Sequence, residues 1–231
     1  MKKLLLFLFI LTLILITTSQ ANSTTFSEPF FWKYNQHYYV VASEFKGSWD
    51  DAWADLFHSP YGSTGYLATI TTKEEQNLLR FLLEPFIAWE KGVTREFWLG
   101  GLQVPDPSYK GYEYPDQGWQ WVTGESWEYS SWGIGWYGPE PNDYWEPGSE
   151  QYLVAWSSAE SAYRSLWNWN DEGPNPLEGW PEYPFVFGYV IEMDHFTPVP
   201  EPGTIVLLSA GLAGLVALRR RSHSRPSSRC A

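Results

Sequence analysis

Both ends of the chain carry an apolar segment that is shorter than a membrane span. Residues 4–16 follow Lys2 and Lys3, and residues 204–218 precede a run of arginines. A helix that crosses a bilayer needs about 20 apolar residues, so neither segment makes a stable span. The first segment is followed by the small residues Ser19 and Ala21, the pattern of a cleavable signal peptide. We therefore predict a signal peptide at residues 1–21 and one folded domain at residues 22–196.

The C-terminal segment has the order of a sorting signal. Pro200-Glu201-Pro202 is followed by the apolar residues 204–218 and by arginines at 219–221. This order resembles the PEP-CTERM sorting tail of Gram-negative bacteria, and we assign residues 197–225 to it. The resemblance implies transient insertion into the inner membrane through residues 204–218 and cleavage near Pro-Glu-Pro by an exosortase-type processing enzyme. The protein is then exported to the cell envelope or the extracellular space; an ordinary C-terminal anchor is the alternative.

The distribution of charge and of cysteine excludes several functions. All 27 acidic residues lie between residues 22 and 203, together with only 8 basic residues. So acidic a surface repels phosphate backbones, and we expect no nucleic-acid partner. The single cysteine, Cys230, lies next to the chain end, which excludes an intramolecular disulfide, thiol catalysis and cysteine-bound zinc. All 15 tryptophans lie between residues 32 and 180, so this acidic region can still bury a large core.

The pattern of apolar residues predicts an α+β domain. Ser48 is the N-cap of a first short helix that extends to Leu56, and Thr72 opens a second helix with a capping box. Residues 123–150 are too rich in glycine and proline for regular structure, and long irregular segments in compact domains are often functional. The two helices are one-sided, so each must lie on a sheet, which we expect to be mostly antiparallel. The predicted strands are Tyr38–Ala42, Tyr66–Ile70, Phe97–Leu99, Trp119–Val122, Tyr152–Trp156 and Phe187–Glu192.

Side chains with oxygen ligands gather in and after the irregular segment. Such a set, without His or Cys, suits calcium and not zinc or copper. If the peptide bond before Pro141 is cis, the side chains on either side of it can converge. Calcium takes about 6–8 oxygens, so backbone carbonyls, water or a ligand must complete the shell. The candidate calcium ligands are Glu140, Asn142, Glu150, Asn170 and Asp171.

Several motifs, in this order, resemble a C-type lectin-like domain from about residue 36 to residue 193. They are Trp98-Leu99-Gly100, Glu140-Pro141-Asn142, Trp169-Asn170-Asp171 and Tyr189-Val190-Ile191-Glu192. The resemblance implies a C-type lectin-like fold, with two short helices, a mostly antiparallel sheet and a long irregular ligand-binding loop region. It also implies that vicinal sugar hydroxyls bind directly to a calcium ion held by Glu140, Asn142, Glu150, Asn170 and Asp171. Glu-Pro-Asn is the variant that the family associates with mannose- or glucose-type sugars, so we expect a glycan or exopolysaccharide partner and no enzymatic activity.

The motifs leave some choices open. The loop between Asn142 and Glu150 is long, so Asp143 or Glu146 could replace Glu150 as the ligand. Glu140 and Glu150 could also be solvated loop acids, and Asn170-Asp171 alone could form a turn. Trp145, with Trp136 and Tyr144 as further candidates, lies near the proposed ion and could stack on a sugar ring. The competing function is a calcium-stabilised protein-interaction or surface-display module that binds no sugar.

The sequence departs from animal members of the resembled family at the disulfides. Where that family has cysteines, this chain has Leu56, Tyr152 and Ile191, and the fourth position has no obvious equivalent. Losing two disulfides costs about 2–4 kcal/mol each, which a larger tryptophan-rich core can offset through burial.

Overall fold

The structure is a computed structural model, and it describes nine stretches of the chain. The predicted signal peptide and sorting segment lie outside them. In the part of the chain that is described, no helix is long and apolar enough to cross a membrane. The stretches are residues 24–57, 59–61, 65–89, 93–104, 115–135, 138–144, 148–158, 165–174 and 186–196.

Two short helices form where their capping residues predict. Helix α1, Trp49–Leu56, begins after Ser48, whose hydroxyl accepts a hydrogen bond from the backbone N–H of Asp51 at 3.0 Å. Helix α2, Lys73–Leu83, begins with the predicted capping box of Thr72 and Glu75. A single 3-10 turn, Glu84–Phe86, ends it at a proline. Both helix starts are thus fixed by local hydrogen bonds.

One large sheet organises the domain. Its strands are β1 Thr25–Phe26, β2 Phe30–Trp32, β3 His37–Ser43, β4 Gly65–Leu67, β5 Thr94–Gln103, β6 Trp119–Trp121, β9 Tyr152–Ser158, β10 Ser165–Glu172 and β11 Val186–Met193. Six of them lie in the order β1-β3-β11-β5-β9-β10. Of the others, β2 pairs with β3, β4 with β11 and β6 with β5. A separate two-stranded hairpin is formed by β7, Ile134–Gly135, and β8, Gly138–Pro139. Among the described strands, β11 and β5 are the parallel pair, and the other pairings are antiparallel. The expected α+β class with a mostly antiparallel sheet is confirmed.

The short strands β1, β2, β7 and β8 are absent from the sequence prediction, and two further details differ from it. The strand predicted to end at Ile70 ends at Leu67, because the backbone N–H of Thr69 turns to the buried carboxylate of Glu192, at 2.9 Å. Strand β10 was not predicted, although it carries Asn170 and Asp171.

The core consists of two apolar clusters, one with each helix. Helix α2 packs into a cluster that contains Trp119, Trp121, Trp167 and Trp169, and α1 packs into one that contains Trp98 and Tyr189. The three positions that the sequence comparison with the resembled family assigned to cysteines lie in the second cluster: Leu56 and Ile191 are buried in it, and Tyr152 packs against it. Apolar burial, worth about 1.5–3 kcal/mol for a large side chain, occupies the place of the covalent links.

Candidate functional site

A loop segment that lies along β10 brings Glu140 to the sheet. The backbone N–H of Trp169 donates to the carbonyl of Ser131 at 2.8 Å, and that of Gly133 donates to the carbonyl of Trp169 at 2.9 Å. The β7–β8 hairpin then reverses the chain, and the N–H of Glu140 donates back to the carbonyl of Gly133 at 3.1 Å. Glu140 therefore lies beside the end of β10, where Asn170 and Asp171 follow.

The Glu-Pro-Asn loop closes onto Asp171. The peptide bond between Glu140 and Pro141 is cis. The amide of Asn142 donates to the Glu140 carboxylate in a short hydrogen bond, and its backbone N–H lies 3.1 Å from both carboxylate oxygens of Asp171. The N–H of Asp143 donates to Asp171 at 2.8 Å. Glu140, Asn142 and Asp171 are thus in direct contact, as the motif predicts.

Asp143 closes the following loop. Its carboxylate accepts the backbone N–H groups of Ser149 at 2.9 Å and Glu150 at 3.0 Å, and also that of Gly148. These bonds give Asp143 a structural role in the loop that leads to Glu150. Glu150 is held by the N–H of Tyr144 at 2.8 Å. Glu146, which could also replace Glu150, and the stacking candidates Trp145 and Trp136 lie outside the described residues.

Asn170 and Asp171 lie on a strand and not in a turn. They pair with Val154 and Leu153 of β9. Asp171 is buried, whereas Asn170 is half buried, and within the described part of the chain no hydrogen bond links its side chain to the other four candidates. Glu140, Asn142 and Asp171 are therefore in contact, Glu150 is near enough for the charge of Asp171 to raise its pKa, and Asn170 directly precedes Asp171 on β10.

The carboxylates of the site are buried, so Glu140 and Glu150 are not solvated loop acids. Glu140 is 9% exposed and Glu150 is 7% exposed. Burial, and then the charge of Asp171, raises the pKa of Glu140 to about 8. The same two causes raise the pKa of Glu150 to about 9. Burial raises the pKa of Asp171 to about 6, and the N–H groups of Asp143 and Asn142 limit the rise.

Two further acids, which the sequence motifs do not indicate, lie near the site. Burial raises the pKa of Glu96 well above its ordinary value, with the Glu172 carboxyl as the next cause. Burial also raises the pKa of Glu172, to about 7. Glu96 lies on β5 directly before Phe97, and Glu172 follows Asp171 at the end of β10. An acidic residue within a strand is the feature of the sequence that could have indicated them. In the described residues no Lys, Arg or His forms an ion pair with any of these carboxylates.

Asn142 supplies a direct indication of a missing partner. Its side-chain oxygen Oδ1 is buried and has no hydrogen-bond partner. Buried polar atoms are almost always paired, because leaving one unpaired costs about 1–3 kcal/mol. Across the described residues no three His, Cys, Asp or Glu side chains stand ready as a metal centre. The donor set here includes an amide as well as carboxylates, and hard oxygens around an unpaired amide oxygen fit calcium.

Gly135 supports the site in a way that the sequence does not reveal. A Cβ atom at this position would lie only 1.8 Å from Oε1 of Glu140. The Glu140 carboxylate therefore rests against the bare backbone of β7. A glycine at the end of a two-residue strand would not by itself indicate such a contact.

Comparison with known proteins identifies the C-terminal segment and gives structural neighbours of the domain. Residues 198–221 match the PEP-CTERM protein-sorting motif, which indicates export to the cell envelope or surface. No curated protein matches the chain in sequence.

The structural neighbours are C-type lectin-like folds, the family that the sequence motifs resemble. Human lithostathine is 17% identical over 77% of this chain and 95% of its own, with a TM-score of 0.47. Ovocleidin-17, from the eggshell calcified layer of Gallus gallus, is 15% identical over 68% and 90%, with a TM-score of 0.38. The snake venom toxin convulxin is 14% identical over 72% and 95%, with a TM-score of 0.36.

Proposed function

We propose that the protein is an exported calcium-dependent carbohydrate-binding protein. The calcium ion is held by Glu140, Asn142, Glu150, Asn170 and Asp171. The observation that carries the proposal is the buried, unpaired Oδ1 of Asn142 beside three buried carboxylates. A divalent cation at this point would pair that oxygen and compensate the charge of the carboxylates.

The charges of the site favour a cation over a fixed hydrogen-bond network. Glu140, Glu150 and Asp171 carry three negative charges when ionised, and Glu96 and Glu172 add to them. Burying ionised carboxylates without a cation is costly, so the calcium-free site retains protons, as the raised pKa values indicate. Calcium binding would release those protons.

The sugar is proposed to complete the calcium shell. Five side chains leave calcium below its usual 6–8 oxygens unless some bind through two atoms, so neighbouring hydroxyl groups of a sugar can occupy open positions. The Glu-Pro-Asn order supports equatorial 3,4-diols of mannose- or glucose-type sugars. Tyr144, which is 43% exposed, offers an aromatic face beside the loop, and Trp145 is the second stacking candidate.

The same carboxylates do not suit glycoside hydrolysis. A glycosidase needs two carboxyl groups about 5–10 Å apart, on either side of the scissile bond. The Glu140 and Asp171 carboxyls interact closely enough for Asp171 to raise the pKa of Glu140, so this pair does not flank a space for that bond. We therefore propose a binding protein without catalytic activity.

Two measurements test the proposal. In calorimetric calcium titrations we expect the wild type and an exposed control, Glu128→Gln, to bind alike, and Glu150→Gln to bind more weakly. At free calcium about 100 times its dissociation constant, the wild type gains about 2.7 kcal/mol of stability. An unchanged melting temperature on adding chelator would overturn the calcium site.

The second measurement separates sugar binding from calcium binding. We expect retention on a mannose column in calcium, elution by chelator, and weaker retention on a galactose column. If calcium binds but no glycan on an array is retained, the protein is a calcium-stabilised interaction or surface-display module. If glycans bind equally well in chelator, the ion is structural and the sugar site lies elsewhere.

A further inference from the structure

A buried glutamine of helix α2 contacts β10, the strand that carries Asn170 and Asp171 of the candidate site. Gln76 is fully buried. Its Nε2 donates to the backbone carbonyl of Trp167 at 2.6 Å, and its Oε1 accepts the indole N–H of Trp169 at 2.8 Å. Both ends of one amide are therefore used on residues two positions apart on β10.

One of the two contacts lies at an irregularity in β10, and the other lies two residues after it. The pairing of β10 with β9 shifts between Leu166 and Asn168, and Trp167 between them has a φ of +63°, a conformation that a bulky residue rarely adopts. A bulge places one extra residue in its strand, so loss of the bulge would shift the pairing of the residues that follow it. A shift by one residue would move every side chain after it to the opposite face. Asn170 and Asp171 are among those side chains.

Trp169 is the junction between this helix and the loop of the site. Its indole is held by Gln76, while its backbone N–H and carbonyl bond to Ser131 and Gly133 of the loop. Gly133 in turn accepts the N–H of Glu140. The position of Trp169 therefore affects both halves of the candidate site, namely Glu140 on the loop and Asp171 on the strand.

We propose that Gln76 is a positioning residue of the candidate site: its amide fixes the register of β10 and so places Asp171 and Asn170 against the Glu140 loop. The expected effect of Gln76 on calcium affinity rests on the proposed function. Its effect on the position of β10 concerns the calcium-free protein and does not. Gln76 makes no hydrogen bond to a candidate ligand among the described residues, so its effect is transmitted through Trp167 and Trp169.

The test compares three variants of the protein. Gln76→Met keeps the length of the side chain and removes both hydrogen bonds. Gln76→Glu keeps both bonds only while the new carboxyl group is protonated, because a carboxylate cannot donate to the Trp167 carbonyl. Leu79→Ala is the control: Leu79 is buried on the same helix and in the same cluster, and its apolar side chain forms no hydrogen bond to β10.

The first readout is nuclear magnetic resonance of the calcium-free protein. We expect Gln76→Met to shift the amide signals of Asn170 and Asp171 and to speed hydrogen exchange of the Trp169 indole N–H. Compared with the wild type at the same pH, Gln76→Glu should show matching signals at low pH and a growing difference as pH rises. Leu79→Ala should leave the signals of Asn170 and Asp171 in place, although it lowers stability. Wild-type signals in Gln76→Met would overturn the proposal.

The second readout is calcium affinity, measured at a temperature at which all variants are folded. We expect Gln76→Met to bind calcium about 10–100-fold more weakly, the usual effect of losing an outer support of a metal site, and Leu79→Ala to stay within about twofold of wild type. Equal losses in both variants would show a purely structural role and would overturn the proposal. If the wild type binds no calcium, the proposed function fails, while the resonance shifts still decide the positioning role.

Discussion

The contact between Gly135 and Glu140 allows the candidate site to be perturbed with little effect on folding. In Gly135→Ala the new Cβ would lie 1.8 Å from Oε1 of Glu140, and real contacts of this kind are not shorter than 3.0 Å. The carboxylate must therefore move by about 1.2 Å or more. Calcium–oxygen distances span only about 2.3–2.6 Å, so a displacement of this size removes the oxygen from the shell.

The expected magnitudes follow from which atom has to move. The clashing atom is the end of a flexible side chain, so the protein can respond by a change of Glu140 rotamer, at about 0.5–1.5 kcal/mol. Replacing glycine by alanine at a compatible backbone position also stabilises by about 0.4–1 kcal/mol through the unfolded state. These two effects nearly cancel, so the calcium-free stability should fall by about the 0.5–1.5 kcal/mol of the hydrogen bond between the Asn142 amide and Glu140. Calcium affinity should fall about 10–100-fold, which corresponds to about 1.4–2.7 kcal/mol.

The assay is a double-mutant cycle measured by calcium titration and by urea unfolding without calcium. In a Glu140→Ala background the clash is absent, so Gly135→Ala should then leave the residual calcium affinity unchanged. Gly138→Ala is the control in the same hairpin, because its Cβ meets no atom within 4 Å while its φ of +137° makes alanine strained. It should destabilise the hairpin without the specific loss of affinity. An equal loss from Gly135→Ala in both backgrounds, or no loss in either, would refute the reasoning.

Three further predictions concern ligand choice, pH and processing. Glu140→Gln with Asn142→Asp keeps the total charge, so calcium should still bind, while equatorial 3,4-diols lose about 1–3 kcal/mol relative to galactose-type diols on sugar columns; an unchanged preference would contradict this. The pKa values of Glu140 and Glu150, about 8 and about 9, lie above those of an unfolded chain, so the calcium-free protein holds extra protons and its stability falls as pH rises from about 5 to 9. Calcium affinity has the opposite dependence and should rise at least about tenfold between pH 6 and 7 in titrations; a flat profile would contradict ligation by these groups. Mass spectrometry of the exported protein should find a chain from Asn22 to about Pro202, and an intact arginine tail would favour an ordinary anchor.

The features that could be predicted from the sequence depend on neighbouring residues. Ser48 and Thr72 start the helices because a cap and its partner lie three positions apart, and the structure confirms both. Glu140 and Asn142 could be assigned to one site because a single proline separates them. For such features the relevant contacts are all within a few residues, so the pattern of residue types is sufficient.

Strand β10 could not be predicted in this way. Its Trp167-Asn168-Trp169-Asn170 alternation is a strand signal, and both tryptophans are buried. The sequence alone favours a turn at Asn170 and Asp171, because Asn and Asp are common in turns. The segment is a strand because its backbone pairs with β9, a contact that the local sequence does not reveal. At the bulge, the carbonyl of Trp167 accepts a hydrogen bond from Gln76, which is 91 residues away in the chain. A polar residue in register with Leu79 and Leu83 on the buried face of α2 was the signal that could have found it.

The irregular segment before the site is held by aromatic packing. The number of tryptophans in the sequence does not show which of them contact one another. Trp127 stacks on Trp119 with ring centres 5.7 Å apart and lies 4.4 Å from the ring of Trp121. Trp132 packs edge-on against Trp169 at 5.7 Å. Each such pair adds about 0.5–1.5 kcal/mol beyond the burial of its surface. Tryptophans of the loop therefore anchor it to the sheet next to the strand that carries Asn170 and Asp171, so a segment without regular structure can hold Glu140 and Asn142 in a fixed position without a disulfide.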